Sequence, residues 1–300
     1  MFSAHDLQAV KLEYGIRGKL GFINTEISGV HIFYAEEAVP LDPMLYPAGI
    51  AIIFQGRKRV LFGKERFFYD KDHFLIVSVS TPIMCETIAA PKSPLLGLFI
   101  DIDLQSLQEV VLEMGITSSE NDTSILGVSP VKIDEKMGEA VTRMIKTLPN
   151  RVESRILGQG LKKEILYRAM KSEHGEALYA LTKNNCPQFR INKVISYIKH
   201  NYQSQIAIEQ LADLANMSNT SFHRNFKLLT GESPLQYIKK TKLSRARSLI
   251  VHNGTNVNAA AAQVGYNSLS QFSRDFKRFY NVAPNHAKGI GYSLIDTWSE

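Results

Sequence analysis

Residues 218–227 read SNTSFHRNFK and residues 268–277 read SLSQFSRDFK, one short pattern written twice at an offset of fifty. Phe222, Arg224, Phe226 and Lys227 recur as Phe272, Arg274, Phe276 and Lys277, and the same offset relates Ser218 to Ser268 and Pro234 to Pro284. Self-similarity at a fixed spacing points to a duplicated structural unit. Two phenylalanines four positions apart share one helical face, and the arginine and lysine beside them fall on another. Each copy therefore predicts a helix with a buried side and a basic side.

The flanking residues extend each copy into a helix, a turn and a helix. In the first, residues 208–215 read as a short helix, Asn216-Met217 as the turn, and Ser218 as the N-cap of a helix that reaches Leu229 and ends at Thr230-Gly231, with Gly231 at the left-handed position after the last turn. In the second, a helix over 257–264, a turn at Gly265-Tyr266-Asn267 and a helix over 268–279 repeat the arrangement. Ala212, and either Ala261 or Ala262, supply the small side chain that lets two helices cross closely. Pro234 opens a long joining helix to about residue 251, with Leu235, Ile238, Ala246, Leu249 and Ile250 as an apolar stripe. Lys239, Lys240, Lys242, Arg245 and Arg247 make much of its remaining surface basic. Before the first unit, Cys186-Pro187 marks a boundary, followed by a helix from about Ile191 with Val194, Ile195 and Ile198 apolar.

Charge follows the same division. Residues 191–300 carry 13 Lys plus Arg against 6 Asp plus Glu, whereas residues 1–190 carry 22 against 23, so the whole net charge of +6 arises in the C-terminal part. Such asymmetry suits a polyanion-binding module joined to a neutral one, or a solvated basic surface. A second helix of a helix-turn-helix presents its outward residues to the major groove, while helix-start amides and cations hold phosphates. With Phe222, Phe226 and Leu229 inward, Thr220, His223, Arg224 and Lys227 face outward. With Phe272, Phe276 and Phe279 inward, Ser270, Ser273, Arg274 and Lys277 face outward, and Gln271 lies at the margin. Arginine can pair with guanine O6 and N7 or bind phosphate, and sequence does not separate these roles. The competing reading makes Arg224 and Arg274 members of salt bridges on their own helices. Repetition in register with both N-cap serines favours DNA.

The N-terminal half has another rhythm. VHIFYAEEA (30–38), IAIIFQG (50–56), RKRVLF (57–62), ERFFYD (65–70), FLIVSVS (74–80), MCETIAA (84–90) and LLGLFIDID (95–103) are β-branched and aromatic runs broken by turn residues. They predict six to eight antiparallel strands in a sandwich or a small barrel, which can hold one small ligand. After Asp103 the period becomes helical. Leu104, Leu107, Val110, Val111 and Met114 form one stripe; Ile133, Met137, Val141, Met144, Ile145 and Leu148 a second; Leu157, Leu161, Ile165, Leu166 and Met170 a third. These stripes face a core, or one of them forms a dimer seam.

Signals for catalysis are weak. His31, His73 and Glu86 are the best candidates for a metal or acid–base set, but they are widely spaced and no HxH or HExxH pair puts two imidazoles on one face. Neither a Gly-rich phosphate loop nor a GxSxG elbow is present. Cys85 and Cys186 fit neither a zinc spacing nor a disulfide framework. Cys85 reads as a small buried hydrophobe, or else as a sensor thiol. No run reaches a membrane span, so the expectation is a cytoplasmic protein with no cofactor, no metal and no membrane partner.

At LADLANMSNTSFHRNFKLLTGESPLQYIKKTKLSRARSLI (211–250) and AAQVGYNSLSQFSRDFKRFYNVAPNHAK (261–288) the chain resembles the AraC/XylS family of bacterial transcription regulators. It departs from that pattern at Asn281, where the family usually has Gly, and at Asn285-His286, where Tyr-Arg is common. YPAGIAIIFQGRKRVLFGKERFFYDKDHFLIVSVSTP (46–82) resembles the N-terminal domain of one branch of the family. The resemblance implies an α+β protein: a cupin-like N-terminal β-barrel with following helices, then an all-α domain of two helix-turn-helix units joined by a long helix. It divides the chain into an effector or regulatory domain at 1–120, a helical linker and dimerisation region at 121–186, and a DNA-binding domain at 187–300. The implied base readers are Thr220, His223 and Arg224, then Ser270, Gln271 and Arg274. Ser218, Lys227, Ser268, Ser273 and Lys277 complete the contact surface. The implied partners are double-stranded promoter DNA, RNA polymerase, a small-molecule effector and a second copy in a homodimer, and the implied role is that of an activator. The rival is a cupin-type enzyme or small-molecule-binding protein whose helical C-terminal region serves assembly.

Overall fold

A computed structural model describes residues 3–16, 20–115 and 126–289 of the chain. The boundary expected at 120/121 and the end of the C-terminal range at 290–300 lie outside the described residues. Helix α1 (Ala4–Glu13) precedes nine strands: β1 (Gly21–Asn24), β2 (Val30–Ala35), β3 (Val39–Tyr46), β4 (Gly49–Gln55), β5 (Arg57–Phe62), β6 (Glu65–Tyr69), β7 (His73–Val77), β8 (Thr81–Ile88) and β9 (Leu95–Asp101). Helix α2 (Leu104–Met114), strand β10 (Val128–Lys132) and helices α3 (Glu135–Thr147), α4 (Arg151–Met170) and α5 (Glu176–Ala180) follow.

The strands form two antiparallel sheets, ordered β1-β2-β9-β4-β7-β10 and β3-β8-β5-β6. The α+β class stands, but the sheets do not close into a barrel. Two edges show why: β3 carries Pro40 and Pro43, and β10 carries Pro130. Proline has no N–H to extend a ladder, so it sits at sheet edges. The same prolines hid β3 and β10 from a reading based on β-branched runs.

Three layers result. Alternate residues of the six-stranded sheet, including Phe33, Ala51, Ile53 and Phe99, face the four-stranded sheet. The others, including Ile32, Ile50, Ile52 and Leu98, face helices α1 to α4. Burial on both sides explains the unbroken apolar runs of β4 and β9, while β5, with one open face, alternates. Leu107, Val110, Met137, Val141, Met144, Ile145, Ile165 and Leu166 are buried in the helical layer, so most of the stripe residues are core. Of the stripe residues, Leu104 and Leu157 are exposed, 36% and 50%, and beside Leu157 at the start of α4 Val152 and Ile156 are open as well, 57% and 73% exposed.

The C-terminal helices are α6 (Pro187–Asn201), α7 (Ile208–Leu214), α8 (Asn219–Thr230), α9 (Pro234–Val251), α10 (Val257–Gln263) and α11 (Leu269–Tyr280), then a short 3-10 turn at Pro284–Gly289. Helix α6 starts four residues earlier than its apolar pattern, because Pro187 fits the first helical turn. Phe222, Phe226 and Leu229 join one continuous core with α6, Tyr237 and the helices over the six-stranded sheet. Phe272, Phe276 and Tyr280 belong to a separate core with Leu243, Ala246 and Ile250. The first unit is thus packed into the N-terminal half, and the second has its own core.

The two units differ by one residue in the turn. Four residues separate α7 from α8 and five separate α10 from α11. Asn216 (φ 50°) and Gly265 (φ 74°) take the left-handed conformation at these turns. A Cβ on Gly265 would also lie 1.9 Å from the Gln203 carbonyl oxygen. Gly265→Ala should therefore lose about 2–3 kcal/mol through left-handed strain and overpacking, read as a lower urea midpoint for the purified protein.

Candidate nucleic-acid interface

Both outward helices start on a serine cap and are anchored by a ring pair. Ser218 Oγ accepts from the Ser221 amide at 3.4 Å, and Ser268 Oγ accepts from the Gln271 amide at 3.3 Å. Phe222 and Phe226 lie with ring centroids 5.4 Å apart, Phe272 and Phe276 5.5 Å apart, both pairs tilted. Gly231 closes α8 at φ 71°, and Asn281 closes α11 at φ 60°. Asn281 thus adopts the conformation that glycine serves in the first unit, consistent with the tolerance of asparagine for the left-handed region. Ala212 and Ala261 are the buried crossing residues, while Ala262 is exposed.

The opposite faces are open. Ser218, Thr220, His223, Arg224 and Lys227 are exposed, as are Ser268, Ser270, Gln271, Arg274 and Lys277, and Ser273 is half-buried. Phe279 is half-buried and Tyr280 takes the inward place expected for it. Among the described residues, no carboxylate pairs with Arg224, Lys227, Arg274 or Lys277. The ion pairs of this half use Lys239, Lys240, Arg247 and Arg278 instead. The salt-bridge reading of the two repeated arginines has no support in this geometry.

Helix α9 corrects the expectation of a basic outer surface. Lys239 reaches Asp275 at 3.4 Å, Lys240 pairs with Glu232, and Lys242 donates to the Gly265 carbonyl at 3.1 Å. Burial lowers the Lys242 pKa, and burial with Arg245 nearby brings Lys199 of α6 down to about 8. Arg247 is buried against Asp42 of β3, with Nη1 to Oδ2 at 2.5 Å and its guanidinium 4.8 Å from the Tyr280 ring centroid. Burial pushes the Asp42 carboxyl up, opposed by Arg247. Leu235, expected in the apolar stripe, is 60% exposed, while Tyr237 is buried and donates its hydroxyl to the Ser80 carbonyl at 2.8 Å. Spacing shows which residues share a face but not how many neighbours surround the helix. Here α9 touches β3, β8, α8, α10 and α11.

Two residues outside the expected set organise this surface. Asp275, 5% exposed, joins Lys239, Arg278 (2.5 Å) and the Tyr266 hydroxyl (3.4 Å), tying α11 to α9 and to its own turn. Thr81 donates to the Thr230 carbonyl at 2.6 Å and so fixes the end of α8 to β8. Asp275 stands where Asn225 does in the first copy, a difference visible in the repeat.

The catalytic candidates are dispersed. His31 contacts Asn24 and Asp101, His73 contacts Asp70, and Glu86 pairs with Arg59 at 2.7 Å. Among the described residues no three His, Cys, Asp or Glu side chains are grouped to hold a metal. Cys85 is buried, and burial raises its thiol pKa. No helix among the described residues is long and apolar enough to cross a membrane.

Comparison with known proteins adds independent findings. The AraC-type transcriptional regulator N-terminus model matches residues 26–177, and a helix-turn-helix domain model matches 211–289. An uncharacterized HTH-type transcriptional regulator of Haemophilus influenzae is 27% identical over 219 residues, covering 73% of this chain and 59% of that protein. The probable transcriptional regulator LumQ of Photobacterium leiognathi is 22% identical over 177 residues, covering 59% of this chain and 69% of its own length. The fold is similar to that of ToxT from Vibrio cholerae, solved with an unsaturated fatty acid bound, with a TM-score of 0.57 at 11% identity over 91% of this chain and 96% of that one.

Proposed function

Because the chain belongs to the AraC-type family of transcriptional regulators, we propose that it binds double-stranded promoter DNA sequence-specifically through α8 and α11 and acts as an activator. The observation that carries this reading is the pair of matching exposed faces. Each begins at a capped helix start, carries an arginine and a lysine without an internal partner, and is set by buried phenylalanines. Thr220, His223 and Arg224, with Ser270, Gln271 and Arg274, reach base edges. Lys227 and Lys277 hold phosphates, and the amides behind Ser218 and Ser268 do the same, with Ser273 at the edge of the second contact.

Residues 1–120 act as the regulatory domain, 121–186 as the helical link and 187–300 as the DNA-binding domain. RNA polymerase is the partner of the activated complex, in the cytoplasm, and no catalysis, metal or cofactor is required. A small-molecule effector shifts the population towards the DNA-competent arrangement by binding that state more tightly. The ToxT fold neighbour with its bound fatty acid supports an effector here. Homodimerisation uses the exposed start of α4, where Val152, Ile156 and Leu157 form an apolar surface outside the core. Ile156→Glu should weaken self-association at least about tenfold, or about 1.4 kcal/mol, in sedimentation velocity at graded concentrations.

A mobility-shift assay on the purified chain, paired with metal analysis, tests the proposal. The expected result is a complex that survives excess nonspecific competitor. Stoichiometric metal without specific DNA binding would favour the cupin-type enzyme instead.

A further inference from the structure

We infer that Lys58 is the recognition group of an effector site between the two sheets, and that the effector is a small organic acid, apolar apart from one carboxylate. The inference rests on the effector-regulated reading above. Strand β5 alternates, so its register turns Lys58, Val60 and Phe62 inward. Lys58 is 0% exposed, and its Nζ has no hydrogen-bond partner. It faces rings instead, 4.8 Å from the Phe33 centroid and 5.6 Å from that of Tyr46.

A lysine normally reaches water along its flexible stem, and one held in a core without a partner keeps an unmet charge or unmet donors. Slipping β5 by one residue would free Lys58 but would also expose Val60 and Phe62, so the fold holds the amine in place. The carboxylate opposite Cys85 in the neighbouring ladder, Asp42, is engaged by Arg247. An incoming carboxylate would give the Lys58 amine the counter-charge that the protein does not. A second donor is at hand. The Tyr46 and Tyr69 hydroxyls lie 3.0 Å apart, so their two protons serve one mutual bond and one remains to donate. The other walls are hydrocarbon and aromatic, which selects an apolar body.

The position also explains how occupancy would reach DNA. Tyr46 and Asp42 lie on β3, and Asp42 holds Arg247 of α9, the helix joining the two DNA-contacting units. A ligand seated between the sheets bears on Tyr46 of β3, the strand whose Asp42 makes that ion pair, so effector affinity and DNA affinity are linked.

Thermal shifts of the full chain with octanoate, octan-1-ol and octylamine test the site. Octanoate should raise the melting temperature by several degrees, and the alcohol and amine should not. Lys58→Met should melt no lower than the parent, because an apolar group of similar length replaces a partnerless amine, and its octanoate affinity should fall at least about tenfold. Equal responses to octanoate and octanol, an undiminished octanoate response in Lys58→Met, or no response to butanoate, octanoate and benzoate alike would overturn the inference. DNA binding is scored separately by mobility shift. Specific DNA binding without any carboxylate response rejects this site alone, and a Lys58-dependent response without DNA binding rejects the regulatory reading alone.

Discussion

Arg247→Ala should lower unfolding free energy by about 3–5 kcal/mol, the range for removing one partner of a buried ion pair. The reason lies in what remains. Asp42 is 5% exposed on β3 and would be left in the core without the guanidinium at 2.5 Å that now compensates it. The Tyr280 ring would lose its stacked cation as well. Urea unfolding followed by circular dichroism reads the loss. Replacing both residues together, Asp42→Leu with Arg247→Met, should recover most of it, because a well-packed apolar pair avoids the desolvation of two charges. A small loss in the single variant would mean that water reaches the pair. The double variant also removes a tie between β3 and α9, leaving the Tyr237–Ser80 and Thr81–Thr230 hydrogen bonds and the shared apolar core to hold the two halves. Its DNA affinity therefore reports how strongly the N-terminal half restrains the helices that contact DNA.

The second large effect is on binding. Arg224→Ala and Arg274→Ala should each weaken specific DNA binding by about 1–3 kcal/mol where the arginine reads a base. Both side chains are exposed and lack an internal partner, so stability should stay within about 0.5 kcal/mol of the parent. That separation distinguishes them from Arg247, whose loss acts through the fold. A base reader relaxes preference at one position of the site, whereas a phosphate contact weakens every sequence alike and lowers the salt slope by about one. Titrations at several salt concentrations on the preferred site and on a single-base variant separate the two roles.

Much of this surface was legible in the sequence because the repeat reports local physics. Caps, turn residues and the four-residue spacing of Phe222 with Phe226 and of Phe272 with Phe276 act within one or two helical turns, and the observed caps fall at Ser218 and Ser268. What lay hidden depends on distant partners. Arg247 reads as one more cation on a basic helix until Asp42, 205 positions away, is placed beside it. Lys58 lies in RKRVLF, whose strand character is legible but whose inward-facing residues are not, until the register turns Lys58 to the core. The open sheets were obscured differently: β3 and β10 carry prolines, which weaken a strand signal but suit an edge. The continuous core linking α8 to the N-terminal helices also could not be read from periodicity, which identifies an apolar face but not what covers it.

The two copies are unequal in contact residues, since Thr220 and His223 stand where Ser270 and Ser273 stand, and unequal in packing, since only the first shares the N-terminal core. In the proposed complex both faces read DNA together. Selection of bound sequences from a random duplex pool tests it most directly. The expected result is one enriched motif with two dissimilar halves one helical turn, ~10 base pairs, apart, in which Arg224→Ala relaxes one half and Arg274→Ala the other. A pool with no enriched motif, or a motif that neither substitution alters, would contradict it.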